Sequence, residues 1–71
     1  MSTTTTEYVV AGMTCAHCVQ AVTEEVTGLT GVTDVAVDLA SGGLTVVSDT
    51  AVPFAEIERA VDEAGYIVTA P

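Results

Sequence analysis

Lysine is absent from the 71 residues, and Arg59 is the single fixed positive charge against ten Asp and Glu, for a net charge of −9 at pH 7. Nucleic acids and anionic lipid surfaces are held through Lys and Arg contacts, so neither is an expected partner. Such a surface suits solubility or a basic protein partner. Tryptophan is missing too, and two tyrosines and one phenylalanine are the only aromatics. The apolar residues are mostly Val, Ala, Leu and Ile, so a deep pocket for a large organic substrate is not expected, nor is an enzyme built around one. Purely apolar stretches run to a few residues, far short of the ~20 that cross a bilayer as a helix. The start, residues 1–6, holds neither a basic segment nor an apolar run, so no export signal is read. The expected compartment is therefore the reducing cytoplasm, where thiols stay free.

What is present makes one small globular domain. Residues 1–6 are expected to be a flexible tail, and residues 7–70 the folded unit. Glu7-Tyr8-Val9-Val10-Ala11 reads as a strand that Gly12 breaks. Val19, Val22, Val26 and Leu29 then recur at helical spacing, predicting a helix over 16–27 with Thr14 as its N-cap. Val35, Val37 and Leu39 alternate with Ala36 and Asp38, a half-buried strand over 32–39. Ala40-Ser41-Gly42-Gly43 turns the chain into a partner strand over 44–48. Pro53 suits a first helical position, Phe54, Ile57, Val61 and Ala64 form an apolar stripe, and Gly65 is a helix stop. A last strand is expected over 66–70. The order βαββαβ is α+β and ferredoxin-like: a four-stranded antiparallel sheet with both helices on one face.

Chemistry concentrates in Gly12-Met13-Thr14-Cys15-Ala16-His17-Cys18. A C-x-x-C where a strand passes into a helix brings two sulfurs within reach of one ion, at an end where backbone N–H groups favour anions. Thiolate is both the metal ligand and the nucleophile, and this position lowers cysteine pKa. The residues alone thus leave metal binding and thiol–disulfide exchange both open. A structural zinc site needs four ligands, and the chain has two Cys and one His, with His17 between the cysteines. Haem attachment needs His after the second Cys, where Val19 stands. Two soft thiolates without further strong ligands suit Cu(I), held openly enough for an incoming thiolate to take it.

With Gly12-Met13-Thr14-Cys15-x-x-Cys18 in this topology, Gly31-Val32, Val35-x-Val37-Asp38 and Ala64-Gly65-Tyr66, the chain resembles the heavy-metal-associated domain family. That family includes bacterial copper chaperones and the metal-binding domains of copper-transporting P-type ATPases. The resemblance implies that Cys15 and Cys18 are the metal ligands and that Met13 packs beneath the loop. It implies that Tyr66 stands near the metal, and that His17 occupies a position where some bacterial copper chaperones also carry histidine. Zinc- and cadmium-binding relatives often place an acid beside the cysteines; here the neighbours are Thr14, Ala16 and Val19, which favours Cu(I). The implied function is a free-standing cytoplasmic Cu(I) chaperone that delivers to a P-type ATPase and can form a copper-bridged homodimer. The alternatives are the N-terminal domain of such an ATPase and a thiol–disulfide oxidoreductase. Many such chaperones carry lysines near the site, so docking of this lysine-free chain needs a basic partner or an apolar contact.

Overall fold

The computed structural model describes residues 3–69. Six elements follow one another: β1 (Thr4–Ala11), α1 (Ala16–Thr27), β2 (Val32–Asp38), β3 (Gly43–Ser48), α2 (Phe54–Glu63) and β4 (Ile67–Thr69). The strands form one sheet in the order β2-β3-β1-β4, and every neighbouring pair is antiparallel. This is the ferredoxin-like sandwich, with the helices layered on one face of the sheet.

Alternation along the strands builds the core. Tyr8 and Val10 of β1, Leu44 and Val46 of β3 and Val68 of β4 point inward and are buried. Val22 and Val26 from α1 meet them, with Ile57, Ala60 and Val61 from α2. Ser48 is the buried polar side chain among the described residues, and its hydroxyl donates to the Thr50 carbonyl, which removes the penalty of an unpaired buried group. Phe54 sits at the rim, where its ring lies 5.7 Å from that of Tyr8.

The boundaries differ from the sequence reading in instructive places. Thr4, Thr5 and Thr6 are strand rather than tail, paired with Ser48, Val47 and Val46. Threonine is β-branched and fits a pleated surface, but a run of four carries no apolar alternation, so only the length of β3 reveals the pairing. Met1 and Ser2, the rest of the expected tail, lie outside the described residues. Leu39 lies past the end of β2 and is exposed instead of continuing the inward row, because the hairpin turns there and Asp38 Oδ1 accepts the Ala40 N–H at 3.0 Å. Pro53 is the N-cap of α2, with ψ 143°, rather than its first helical residue. Tyr66 belongs to the turn before β4 instead of to the strand, and Ala70 lies outside the described residues.

A Schellman closure ends α2 and places that turn. The Tyr66 N–H donates to the Val61 carbonyl at 3.1 Å and the Gly65 N–H to that of Asp62 at 2.9 Å. Gly65 has φ +93°, a conformation that costs a side-chain-bearing residue about 1 kcal/mol or more.

Because Ile57 is fully buried, Ile57→Ala should cost about 2–5 kcal/mol and Ile57→Val about 0.5–1.5 kcal/mol. Urea denaturation followed by far-ultraviolet circular dichroism measures both. Equal losses for the two variants would contradict the packing described.

Candidate metal centre

β1 ends at Ala11, and four residues carry the chain over the end of the sheet into α1. Gly12 makes the turn possible in two ways. Its φ is +94°, and a β-carbon placed on it would lie 3.3 Å from Cδ1 of Tyr66. The loop and the turn after α2 therefore touch through a glycine and a ring. Met13, next in line, is half-buried against the core cluster.

Cys15, not Thr14, is the N-cap of α1, with φ −156° and ψ 170° and no side-chain cap. Its carbonyl accepts the first helical bonds, from Cys18 N–H at 3.1 Å and Val19 N–H at 3.3 Å. A Thr cap was favoured by residue preference. Thr14 instead precedes the cap, and its hydroxyl oxygen lies 4.0 Å from Cys18 Sγ. Cys18 falls in the first turn, and the two Sγ atoms are 3.2 Å apart. Both thiols are free; Cys15 is exposed and Cys18 partly covered.

Tyr66 has a second contact beyond Gly12. Its phenol is the largest of the influences that bring the Cys18 pKa down from 9.0 to about 6. Hydrogen bonds from the Thr14 backbone and the Cys15 side chain push the same way, and partial burial opposes them. The tyrosine responds reciprocally: holding its proton against the sulfur raises its own pKa. At neutral pH the site thus offers a thiolate stabilised by directed donors rather than by a neighbouring cation.

No group of three or more His, Cys, Asp or Glu assembles anywhere among the described residues. His17 is exposed on the first turn and does not complete such a group with the cysteines. The loop thus brings two sulfurs together, and no larger group of such side chains among the described residues. With metal–sulfur bonds of ~2.3 Å, two sulfurs at this separation are within reach of one ion.

The parts of the site that sequence reasoning passed over are structural. Gly12 is a strand breaker by local preference, and its missing side chain also leaves room for the Tyr66 ring. Thr14 is a cap by residue type, but its influence on Cys18 comes through its backbone. Neither contact has a local signature, since Gly12 and Tyr66 meet only through the fold.

The heavy-metal-associated domain model matches residues 7–66, and the chain belongs to that family. Copper-transporting ATPase 1 of Rhizobium meliloti (strain 1021) is 44% identical over 62 residues, which are 87% of this chain and 8% of that protein. The chain thus spans a small fraction of the curated relative it matches. Among solved structures, the CopZ metallochaperone has a TM-score of 0.86 at 31% identity, covering 93% of this chain and 100% of that one. The N-terminal domain of ZntA in its apo form has a TM-score of 0.88 at 36% identity, covering 99% and 94%. No helix among the described residues is long and apolar enough to cross a membrane.

Tyr66→Phe keeps the ring over Gly12 and removes the donor, so the Cys18 titration should move up from about 6 toward 9.0. Thiolate absorbance at 240 nm followed against pH reads the shift, and an unmoved titration would exclude Tyr66 as its main cause. In the wild type the folded chain loses this proton at about 6 and the unfolded chain nearer 9.0. The thiolate's contribution to stability is therefore full above the unfolded value and fades as the pH falls through about 6. Stability of the reduced, metal-free protein measured across that range should rise with pH more steeply than in Cys18→Ser.

Proposed function

We propose that this domain carries one Cu(I) between the thiolates of Cys15 and Cys18 as a cytoplasmic chaperone, and passes it to a copper-transporting P-type ATPase. The observation that carries the reading is the open pair of sulfurs, 3.2 Å apart, with no group of three or more His, Cys, Asp or Glu around it among the described residues. A soft ion that accepts two sulfurs is served by this arrangement, whereas zinc seeks four ligands. The similarity to a metallochaperone over its whole length and to a copper-transporting ATPase supports the same choice of cargo and partner.

Transfer follows from exposure. A thiolate of the receiving protein adds to the copper, one sulfur of this chain leaves, and the second exchange completes the hand-over without a free ion. Cys15 is the more exposed of the two and is the sulfur reached first. Tyr66 steadies Cys18 as the thiolate, Met13 supports the loop from the core side, and His17 stands exposed beside the pair. At high concentration the open ion accepts a sulfur from a second copy, which gives a copper-bridged homodimer.

Anaerobic titration of the reduced protein against a chromophoric Cu(I) chelator, with Zn(II) in parallel, tests the assignment. One copper per chain is expected, with Cu(I) preferred. Cys15→Ser or Cys18→Ser should each weaken binding by more than the ~10–100-fold typical of supporting residues. Competition unchanged in either variant, or a preference for zinc, would overturn the reading. Protons and metal compete for the same sulfurs, so the affinity for Cu(I) measured against the chelator should fall as the pH is lowered through about 6, the Cys18 value of the metal-free chain.

Similarity to the ATPase favours a second reading, in which the same site belongs to a metal-binding domain of a transporter. Immunoblotting cell extracts separates the two: a species of about 7.2 kDa marks the carrier, and a much larger membrane-bound one marks the transporter. Thiol–disulfide exchange is the rival chemistry for the close sulfur pair, and reduction of insulin by a protein that retains no copper would select it.

A further inference from the structure

The helices cover one face of the sheet, and the other face carries no layer. On that open face, at the end where β1 runs into the metal loop, three apolar side chains adjoin. Ala11 pairs with Ile67 across β1 and β4, and Val9 pairs with Thr69. Val9 and Ile67 are therefore diagonal neighbours on one surface. Both are large and uncovered, Val9 at 46% exposure and Ile67 at 68%; Ala11 is exposed between them.

Along β1 and the β2–β3 hairpin the charged side chains beside this centre are acidic. Glu7 precedes Val9 by two residues on the same face, and Asp38 pairs with Gly43, which in turn pairs with Val9. The Asp38 carboxylate is held in place by the Ala40 N–H. Arg59, the only Lys or Arg of the chain, belongs to α2; it lines a groove with Ile67, Glu58 and Asp62 beside β4 and is paired with Glu56. A second copy would set acid against acid, so like-charge repulsion disfavours self-pairing here.

We propose that this end of the open sheet face is a docking surface for a basic amphipathic helix of a partner protein. Val9, Ala11 and Ile67 would take its apolar ridge, and Glu7 and Asp38 its flanking Lys or Arg. A helix is the element that completes a layer on a bare sheet. The apolar centre extends about 7 Å along β1 and about 5 Å across to β4, roughly one to two helical turns. A contact of that size is weak and transient. It also leaves the sulfurs at the loop free, so a partner can be held while metal is exchanged. The proposal stands independently of the copper assignment, and its test uses the reduced, metal-free chain.

The probe is an 18-residue leucine–lysine peptide of helical periodicity, added to isotope-labelled protein and followed by amide chemical shifts. Shifts concentrated at Val9, Ala11, Asp38, Ile67 and Thr69, with binding weakened about tenfold or more by Ile67→Ser, are the expected result. Ile67 is exposed enough that the variant should melt with the wild type, and a leucine–glutamate peptide should not bind. Plain attraction to acids would instead select the helices, which carry Glu24, Glu25, Glu56, Glu58, Asp62 and Glu63. Shifts confined there, or affinity unchanged in Ile67→Ser, would overturn the proposal. So would concentration-dependent self-association through this face without peptide, since the occupant would then be a second copy.

Discussion

A single tyrosine ring resting on a glycine ties the two ends of this fold into one site. Gly12 has no β-carbon to hold the ring away, and the Schellman closure at Gly65 delivers Tyr66 to that spot. Both glycines have positive φ, the region where a side chain costs most. The same tyrosine is the largest influence lowering the Cys18 pKa. Backbone geometry at two turns, more than fifty positions apart in the chain, is thereby converted into the protonation state of one thiol.

Under the proposed carrier role, that arrangement suits a site that both holds and releases. Directed hydrogen bonds stabilise the Cys18 thiolate without a buried cation, and Cys15 remains open at the helix N-cap. A closed four-ligand cage would grip more firmly but would shield the ion from an incoming sulfur. Here the protein's rigidity lies beneath the loop, in Met13 and the core it meets, while the reacting atoms stay at the surface.

The strong acidic imbalance is consistent with the same division. The core is built from aliphatic side chains and one tyrosine, so charge is relegated to the outside, and the chain has a lone surface ion pair, Arg59 with Glu56 at 3.3 Å, among its described residues. An exposed pair of that kind adds little stability. The acids act as a field, which repels other anions and favours basic protein surfaces.

Periodicity made most of the architecture legible. Helical spacing marked Val22, Val26, Ile57 and Val61, strand alternation marked Val35 and Val37, and Gly65 marked the end of α2. The order of elements was enough to name the sandwich. The C-x-x-C at a strand–helix junction likewise exposed the reactive sulfurs, since two residues between cysteines confine them to one helical turn whatever surrounds them. Local pattern could not show that Thr4, Thr5 and Thr6 join β1, that Leu39 leaves its row, or that Cys15 caps α1. Those outcomes depend on what a partner strand or turn offers. The tertiary structure alone decided the seating of Tyr66 on Gly12 and the sulfur that its hydroxyl addresses. Periodicity reports which face of an element is apolar, whereas contacts between distant turns exist only after the core has brought those turns together.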